Sequence, residues 1–445
     1  MKCIRIFIIT IIIFIVLLND TASILIPIFL LMSVIHWIKF NKILHNIWLN
    51  SFIFYAFVGV INYSSYIYYC GMSRAPFGDD SYYYDYAINI LNGEYLFVRF
   101  EPYSYFLSLL MYPFKWMFDY TLLHYELLPI NWFIGATTVA LIIYFTELVL
   151  PINNVKHKYL ASGLILFNSC YIDGVVHLYR DGLVCLMLIL AFIFVYNQRY
   201  VKGIFFSLFV GILRGANGII ALLYTIMDYI QTQYKFSRRT FISMLCLGTL
   251  LFCLSFSSLG VEKYTRSFSN ASEQSMSLEE RLSTFHEQEN AQGGVIKLLR
   301  SSNPIYKAIA IPIYMLSPFK MGSLYINHFY SLRTHGWQVT RLRVESIWEG
   351  LNVIFYVSLY ISLLFGIYYW FKDLNLRRIV LLFIFLITVI LVTLISMQAR
   401  HKMAFIIFFP LLYSYYYNYS TPAMRRKVTK YNICFALLVI IYNIL

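Results

Sequence analysis

Charged side chains are scarce in this sequence. Asp, Glu, Lys and Arg make up 13% of its 445 residues, whereas hydrophobic residues make up 60%. About a quarter of the residues of a soluble domain are charged, so the composition excludes an ordinary soluble protein. Several uncharged runs are about 16 to 20 residues long, which is the length needed to cross the hydrocarbon core of a bilayer. The sequence therefore predicts a polytopic membrane protein.

The sequence also lacks the cysteine patterns of a metal-binding or disulfide-bonded domain. Its seven cysteines are scattered, mostly inside apolar runs, with no Cys-x-x-Cys pair and no His/Cys cluster. Neither a zinc site nor a disulfide framework is therefore predicted. No small-residue cleavage site follows the apolar run 3–18, which indicates a retained first helix rather than a signal peptide. No internal repeat of fixed spacing is visible.

Basic residues outnumber acidic ones, and the formal net charge is +14. Most of the excess falls in short clusters between apolar runs, as the positive-inside rule produces, rather than in a patch suited to nucleic acid. Placing every basic cluster on the cytoplasmic side gives an all-α fold with about 13 transmembrane helices and two large extracytoplasmic loops. The 40 Tyr and 38 Phe residues suit the membrane interface, and aromatic faces also stack on sugar rings.

This topology divides the chain into five regions. They are N-terminal transmembrane segments (1–70), a first periplasmic loop (71–127), central transmembrane segments (128–256), a large periplasmic loop (257–349) and C-terminal transmembrane segments (350–445).

Within the first periplasmic loop we expect two helices. The pattern of residues 82–91 is helical, and Asn92 with Gly93 ends it. The apolar run 103–118 is short and contains Pro113 and Lys115. Treating that run as an interfacial helix keeps all later basic clusters cytoplasmic, whereas treating it as a span places them outside.

The most distinctive stretch of the sequence is acidic and aromatic. Residues 78–86 contain Asp79, Asp80 and Asp85 together with four tyrosines, at the predicted edge of the bilayer. Carboxylates are costly to place there and tend to mark function. Asp79 or Ser81 could instead cap the following helix, but a cap needs only one side chain. We therefore interpret Asp79 and Asp80 as candidate catalytic residues.

Further polar residues converge on the same predicted outer face. Guanidinium groups suit bidentate binding of phosphate, and carboxylates beside them could act as a general base or hold a divalent metal. Simpler interpretations are an ion pair at a helix start, a snorkelling arginine and interface anchors. The candidate substrate-binding residues are Asp85, Arg180, Asp181, Arg214, Arg341, Arg343, Arg400 and His401.

Three stretches resemble bacterial membrane enzymes of surface-polysaccharide assembly. Gly-Asp-Asp-Ser-Tyr-Tyr-Tyr (78–84), with Glu-Pro-Tyr-Ser-Tyr (101–105), is similar to the acidic first outer loop of GT-C-type glycosyltransferases. Leu-Tyr-Arg-Asp-Gly-Leu (178–183), with a later Leu-Arg (213–214), resembles the Arg/Lys-Asp helix start of polytopic polymerase-like proteins. The late loop with Leu-Ser-Pro-Phe (316–319) resembles O-antigen polymerases.

The resemblance implies an O-antigen or capsule repeat-unit polymerase of the bacterial inner membrane. Such enzymes join oligosaccharides carried on undecaprenyl pyrophosphate at the periplasmic face, beside other membrane proteins of polysaccharide assembly. The arginines would stabilise the departing pyrophosphate, and Asp79 or Asp80 would orient or deprotonate the acceptor hydroxyl. No cofactor and no nucleic acid partner are implied.

Two alternatives remain open from the sequence. A GT-C-type glycosyltransferase would use a polyprenyl-phosphate-linked monosaccharide, and a divalent metal requirement would favour it. A transporter or flippase of lipid-linked sugars would place charges along a path through the membrane and would show inverted repeats.

Overall fold

Helices dominate the computed structural model, which describes residues 2–34, 41–70, 79–94, 101–234, 243, 329–334, 337–342, 354–373, 375–395 and 403–444. The helices of the first half are α1 (Lys2–Leu18), α2 (Leu25–Val34), α3 (Lys42–Cys70), α4 (Asp79–Leu91), α5 (Pro102–Phe118), α6 (His124–Val149), α7 (Val155–Leu166), α8 (Ser169–Val176), α9 (Asp181–Tyr196), α10 (Tyr200–Leu213) and α11 (Gly215–Tyr234). Those of the second half are α12 (Tyr360–Phe371), α13 (Leu376–Ile395), α14 (Met403–Ile406), α15 (Phe409–Tyr419) and α16 (Pro422–Ile444).

The prediction of an all-helical fold is confirmed, and the described residues add one short β-hairpin to the helices. Strands β1 (Phe329–Thr334) and β2 (Trp337–Leu342) pair antiparallel, with Phe329 opposite Leu342 and Thr334 opposite Trp337. Both strands are rich in aromatic and β-branched residues, which fit a pleated surface better than a helix. The hairpin falls inside the predicted large periplasmic loop.

The predicted count of about 13 transmembrane helices is not confirmed. In the described part of the chain, two helical stretches, Lys42–Ile67 and His124–Val149, are long and apolar enough to cross a membrane. A third span results if α7 and α8, which bend by 71° at their junction, count as one. The apolar helices α9 and α10 have 16 and 14 residues. At 1.5 Å per residue such helices fall short of a core about 30 Å thick.

The bend between α7 and α8 has an identifiable cause. Asn168 is fully buried there, and its side-chain oxygen accepts a hydrogen bond from the backbone N–H of Tyr171 (3.0 Å), which caps α8. Its amide donates to the hydroxyl of Tyr356 (3.0 Å). An asparagine that satisfies the first free N–H of a new helix favours a break in the apolar run.

Helix α6 lies at the centre of the described fold and packs antiparallel to α3. Trp48 of α3 donates its indole N–H to Thr137 of α6 (3.0 Å). Toward the opposite ends of these helices, the rings of Tyr63 and Tyr125 lie 5.3 Å apart. Gly59 lets the two backbones approach, because a Cβ there would lie 2.5 Å from the Trp132 ring.

The helices meet at two ends of different character. The end that we call the basic end is formed by the start of α7, α10, α13 and α16, and it carries Lys156, Lys158, Lys202, Arg377 and Arg426. There the guanidinium of Arg377 binds both carboxylate oxygens of Asp228 (2.9 and 2.8 Å). The other end is formed by the start of α4, α5, α6, α9 and α11, and we call it the site end. This segregation is the pattern that the positive-inside rule produces.

Helices α12 and α15 pack so closely at Gly366 that we expect one added methyl group to push them apart. A Cβ at Gly366 would lie 2.1 Å from the backbone oxygen of Leu412, which cannot move aside as a side chain can. Gly366→Ala should therefore lower stability by about 1–3 kcal/mol, the usual cost of overpacking. The measurement is thermal unfolding of the protein purified in detergent.

Gly215 provides the matched control, because a Cβ there meets nothing within 4 Å. Gly215→Ala should leave the melting temperature unchanged or raise it slightly, since Ala is the better helix former. Equal melting temperatures for the two variants would contradict the close approach of α12 and α15.

Candidate functional site

A buried carboxylate lies at the centre of the site end. Asp80, in the first turn of α4, is 1% exposed. Its Oδ1 accepts the backbone N–H of Leu178 (2.7 Å) and lies 2.8 Å from Nε2 of His124. Its Oδ2 faces Nδ1 of His177 at 3.6 Å. An ionised carboxylate only accepts hydrogen bonds, so His124 donates its Nε2–H to Asp80.

The surroundings of Asp80 favour its ionised form. Burial by itself would raise the pKa of the carboxyl, but His124 and His177 outweigh it, and the pKa lies well below its usual range. A group that holds its proton so weakly is a poor base at neutral pH. Asp80 is therefore better suited to fix its neighbours in place than to accept a proton from a substrate.

Hydrogen bonds from several helices hold the link between α8 and α9 in place. The amide of Asn131, in α6, donates to the backbone carbonyls of His177 and Tyr179. The hydroxyl of Tyr103, in α5, donates to the side-chain oxygen of Asn131 (2.9 Å). With the bond from Leu178 to Asp80, these contacts hold a non-helical segment between two buried helices. They thereby fix where the following arginine and aspartate lie.

Two arginines of the site end each face a carboxylate from another element. Nη1 of Arg180 lies 3.7 Å from Oε2 of Glu101, and its guanidinium lies 5.8 Å from the centre of the Tyr83 ring. Nη1 of Arg214, between α10 and α11, lies 2.6 Å from Oδ1 of Asp181. Arginine at membrane depth needs such a partner. The Arg180 side chain is 30% exposed, so its charge remains accessible.

Two tyrosine phenols show that the remaining carboxylates belong to the same site. Burial raises the pKa of Tyr83 to about 12; Arg180 opposes the increase, and the charges of Asp79, Glu101 and Asp181 add to it. Burial likewise raises the pKa of Tyr179, with contributions from the nearby carboxylates.

The carboxylates that act on Tyr179 are Asp173, Asp80 and Asp79. Asp79 therefore lies within electrostatic reach of both phenols.

The structure brings together five of the predicted residues: Asp79, Asp80, Arg180, Asp181 and Arg214. Asp85 lies on the exposed face of α4, five positions after Asp80. Arg341 lies in β2, opposite Tyr330. The other predicted residues, Arg343, Arg400 and His401, lie outside the described part of the chain.

The sequence interpretation missed several residues of the site. His124 and His177 contact Asp80, Glu101 faces Arg180, and Asn131 holds the α8–α9 link. His124 opens the helix that carries the first predicted span after the acidic stretch. A histidine at the start of an apolar helix, at the same predicted membrane level as Asp80, is the signal that could have found it.

Comparisons with known proteins add no assignment. No protein-family model matches the sequence, and no curated protein matches it. In the described residues, no group of three or more His, Cys, Asp or Glu side chains is placed to hold a metal ion.

We expect Asp80→Asn to destabilise the protein strongly. The change leaves His124, His177 and the N–H of Leu178 without their buried anion, and breaking a buried pair costs about 3–5 kcal/mol. Because folding lowers the pKa of Asp80, its contribution is complete above the pKa of the unfolded chain, about 4, and decreases as the pH falls below that value. Unfolding of both proteins between pH 3 and 7 measures the difference.

Asp79→Asn is the matched control, because Asp79 is half-buried and lies one position earlier in the same helix turn. It should change stability much less than Asp80→Asn does. If the difference in the free energy of unfolding between wild type and Asp80→Asn were as large at pH 3 as at pH 7, the ionised state of Asp80 would be contradicted.

Proposed function

We propose that this protein is a polysaccharide polymerase of the bacterial inner membrane. In this proposal it joins oligosaccharide repeat units carried on undecaprenyl pyrophosphate into O-antigen or capsular polysaccharide. The observation that carries the proposal is the meeting of Arg180 and Arg214 with the carboxylates of Asp79, Glu101 and Asp181 at one end of the bundle.

The two arginines suit a reaction that releases a phosphate leaving group. The acceptor hydroxyl would attack the anomeric carbon of the donor, and the bond from that carbon to the pyrophosphate oxygen would break. Negative charge then grows on the pyrophosphate, and preorganised cations stabilise such charge best. Arg180 and Glu101 are 3.7 Å apart, a loose pair that a phosphate could replace, whereas the 2.6 Å pair of Arg214 and Asp181 keeps Arg214 in place.

The acidic helix offers groups for the acceptor sugar. Asp79, half-buried at the start of α4, is suited to orient the acceptor hydroxyl, while the buried Asp80 organises the residues behind it. Tyr82 is 39% exposed on the same helix, and its ring lies 5.9 Å from that of Tyr86. Aromatic faces of this kind can stack on sugar rings.

The proposal includes a multi-pass arrangement of about 13 transmembrane helices, with the site end at the periplasmic face. The collection of lysines and arginines at the basic end supports this orientation, because positive loops remain cytoplasmic. The lipid-linked oligosaccharide and the bilayer are the implied partners, together with other membrane proteins of polysaccharide assembly. The described charged clusters lie at the two ends of the bundle, an arrangement that fits an enzyme better than a transport path.

One observation favours a second candidate, a GT-C-type glycosyltransferase using a polyprenyl-phosphate-linked monosaccharide. Asp79 and Asp173 act on one phenol, and Asp79, Glu101 and Asp181 act on another, so four carboxylates gather at the site end. Together with the phosphate of a donor, one or two of these carboxylates could hold a divalent metal. Dependence on a divalent metal therefore separates this candidate from the polymerase.

The test is complementation of a host that lacks its own polymerase, with the lipopolysaccharide displayed on a gel. Wild type should restore a ladder of many repeat units. Arg180→Lys and Arg214→Lys keep the charge but lose the planar fork that grips phosphate, so the ladder should shorten or vanish. Loss of one such stabilising group typically lowers kcat about 10²–10³-fold.

Arg426→Lys is the matched control, because Arg426 is exposed at the basic end, and its ladder should equal that of wild type. Membrane levels of all variants are compared first. The polymerase proposal would be overturned if the strain that carries the wild-type protein made only lipopolysaccharide core with a single repeat unit attached. Single-sugar transfer that stops when EDTA is added would then support the GT-C-type candidate.

A further inference from the structure

A line of three groups leads from the buried centre of the site to its surface. Asp80, 1% exposed, faces Nδ1 of His177 (3.6 Å), and Nε2 of the same imidazole faces Oδ1 of Asp173 (3.5 Å). The Asp173 side chain is 51% exposed. One imidazole thus bridges a buried carboxylate and an accessible one.

Groups from several elements surround the imidazole of His177. Asp80 faces it from α4, and Asp173 faces it from α8. The rings of Tyr66, in α3, and Tyr179 lie 6.2 and 5.3 Å from it. His124, from α6, binds the other oxygen of Asp80. The carboxylate of Asp80 orients Nδ1 as the protonated nitrogen, so Nε2 presents its lone pair toward Asp173.

A proton released at the site therefore has a prepared position. Between Nε2 of His177 and Oδ1 of Asp173 there is room for one shared proton, and the imidazolium that forms would lie between two carboxylates. A carboxylate that shares a proton with an oriented imidazole is suited to act as a general base. Asp80 itself is 1% exposed, so a substrate hydroxyl does not reach its carboxylate directly.

We propose that Asp173 and His177 accept the proton of the acceptor hydroxyl during glycosyl transfer, with Asp173 as the catalytic base and His177 as its positioning residue. This inference rests on the transfer reaction proposed above and adds the proton path to it. Asp79 remains the group that orients the hydroxyl, and it lies with Asp173 near the phenol of Tyr179.

The proposed transfer forms one bond, breaks one bond and moves one proton. The acceptor oxygen forms a bond to the anomeric carbon, and the bond from that carbon to the pyrophosphate oxygen breaks. The bonding electron pair leaves with the pyrophosphate. The hydroxyl proton passes to Oδ1 of Asp173 and is shared with Nε2 of His177, and the fixed charge of Asp80 stabilises the resulting imidazolium.

The test uses the full-length purified protein and a lipid-linked oligosaccharide. Asp173→Asn and His177→Gln should lower kcat by about 10²–10⁴-fold, the usual contribution of a general base, and leave KM near the wild-type value. Glutamine can still donate to Asp80 but cannot take up a proton. His177→Gln should also lose the part of the pH–rate profile between pH 5 and 8 that a histidine produces, and Asp173→Asn should shift that part, because the two groups share one proton.

His157→Gln is the matched control. His157 lies at the basic end, where its ring is 3.6 Å from that of Tyr417, so its removal should leave rate and pH profile unchanged. If His177→Gln does not accumulate in the membrane, Asp173→Asn decides, because its exposed side chain is not needed for packing.

The outcomes separate the two proposals. A wild-type protein that forms no polymer overturns the proposed function itself. In a second outcome, the wild type is active while Asp173→Asn and His177→Gln keep the wild-type kcat and pH profile. That result overturns the proton path alone. A fall in kcat with an unchanged pH profile also overturns it, because a merely structural change would give that result.

Discussion

The described site depends on one electrostatic constraint, the burial of the ionised Asp80. Moving a carboxylate out of water costs several kcal/mol unless charged or hydrogen-bonding partners replace the water. Here the partners are His124, His177 and the N–H of Leu178, which come from α6 and the α8–α9 link. Because all of them are needed together, the carboxylate fixes the positions of three separate parts of the chain. The arginine and aspartate that follow the link are placed as a result.

A second charged pair, Arg377 with Asp228, lies at the basic end, opposite the Asp80 cluster of the site end. Arg377 also donates to the backbone oxygen of Tyr196, the last residue of α9 (2.8 Å). The same helix begins at the other end with Asp181, which pairs with Arg214. Both ends of α9 are thus anchored by charge, while its middle packs through apolar side chains such as Phe192.

Local chemistry made part of this structure predictable. The helix of the acidic stretch was expected over 82–91; it begins at Asp79 and ends at Leu91, and Gly93 follows with a φ of +80° that suits glycine. The end of that helix near Asn92 and Gly93 was likewise expected. The contacts of Asp80 were not, because His124 and Leu178 lie 44 and 98 positions away. Such pairings depend on how helices pack, which hydropathy does not report.

The contacts of Tyr356 have a consequence for the order in which the protein is made. Its hydroxyl donates to the backbone oxygen of Leu164 and receives the amide of Asn168, at the bend that turns α8 toward the site. The ribosome synthesises Tyr356 188 residues after Asn168. Until then the carbonyl of Leu164 and the amide of Asn168 lack this partner inside an apolar layer. The bend that turns α8 toward the site therefore gains these two hydrogen bonds only after Tyr356 has been synthesised.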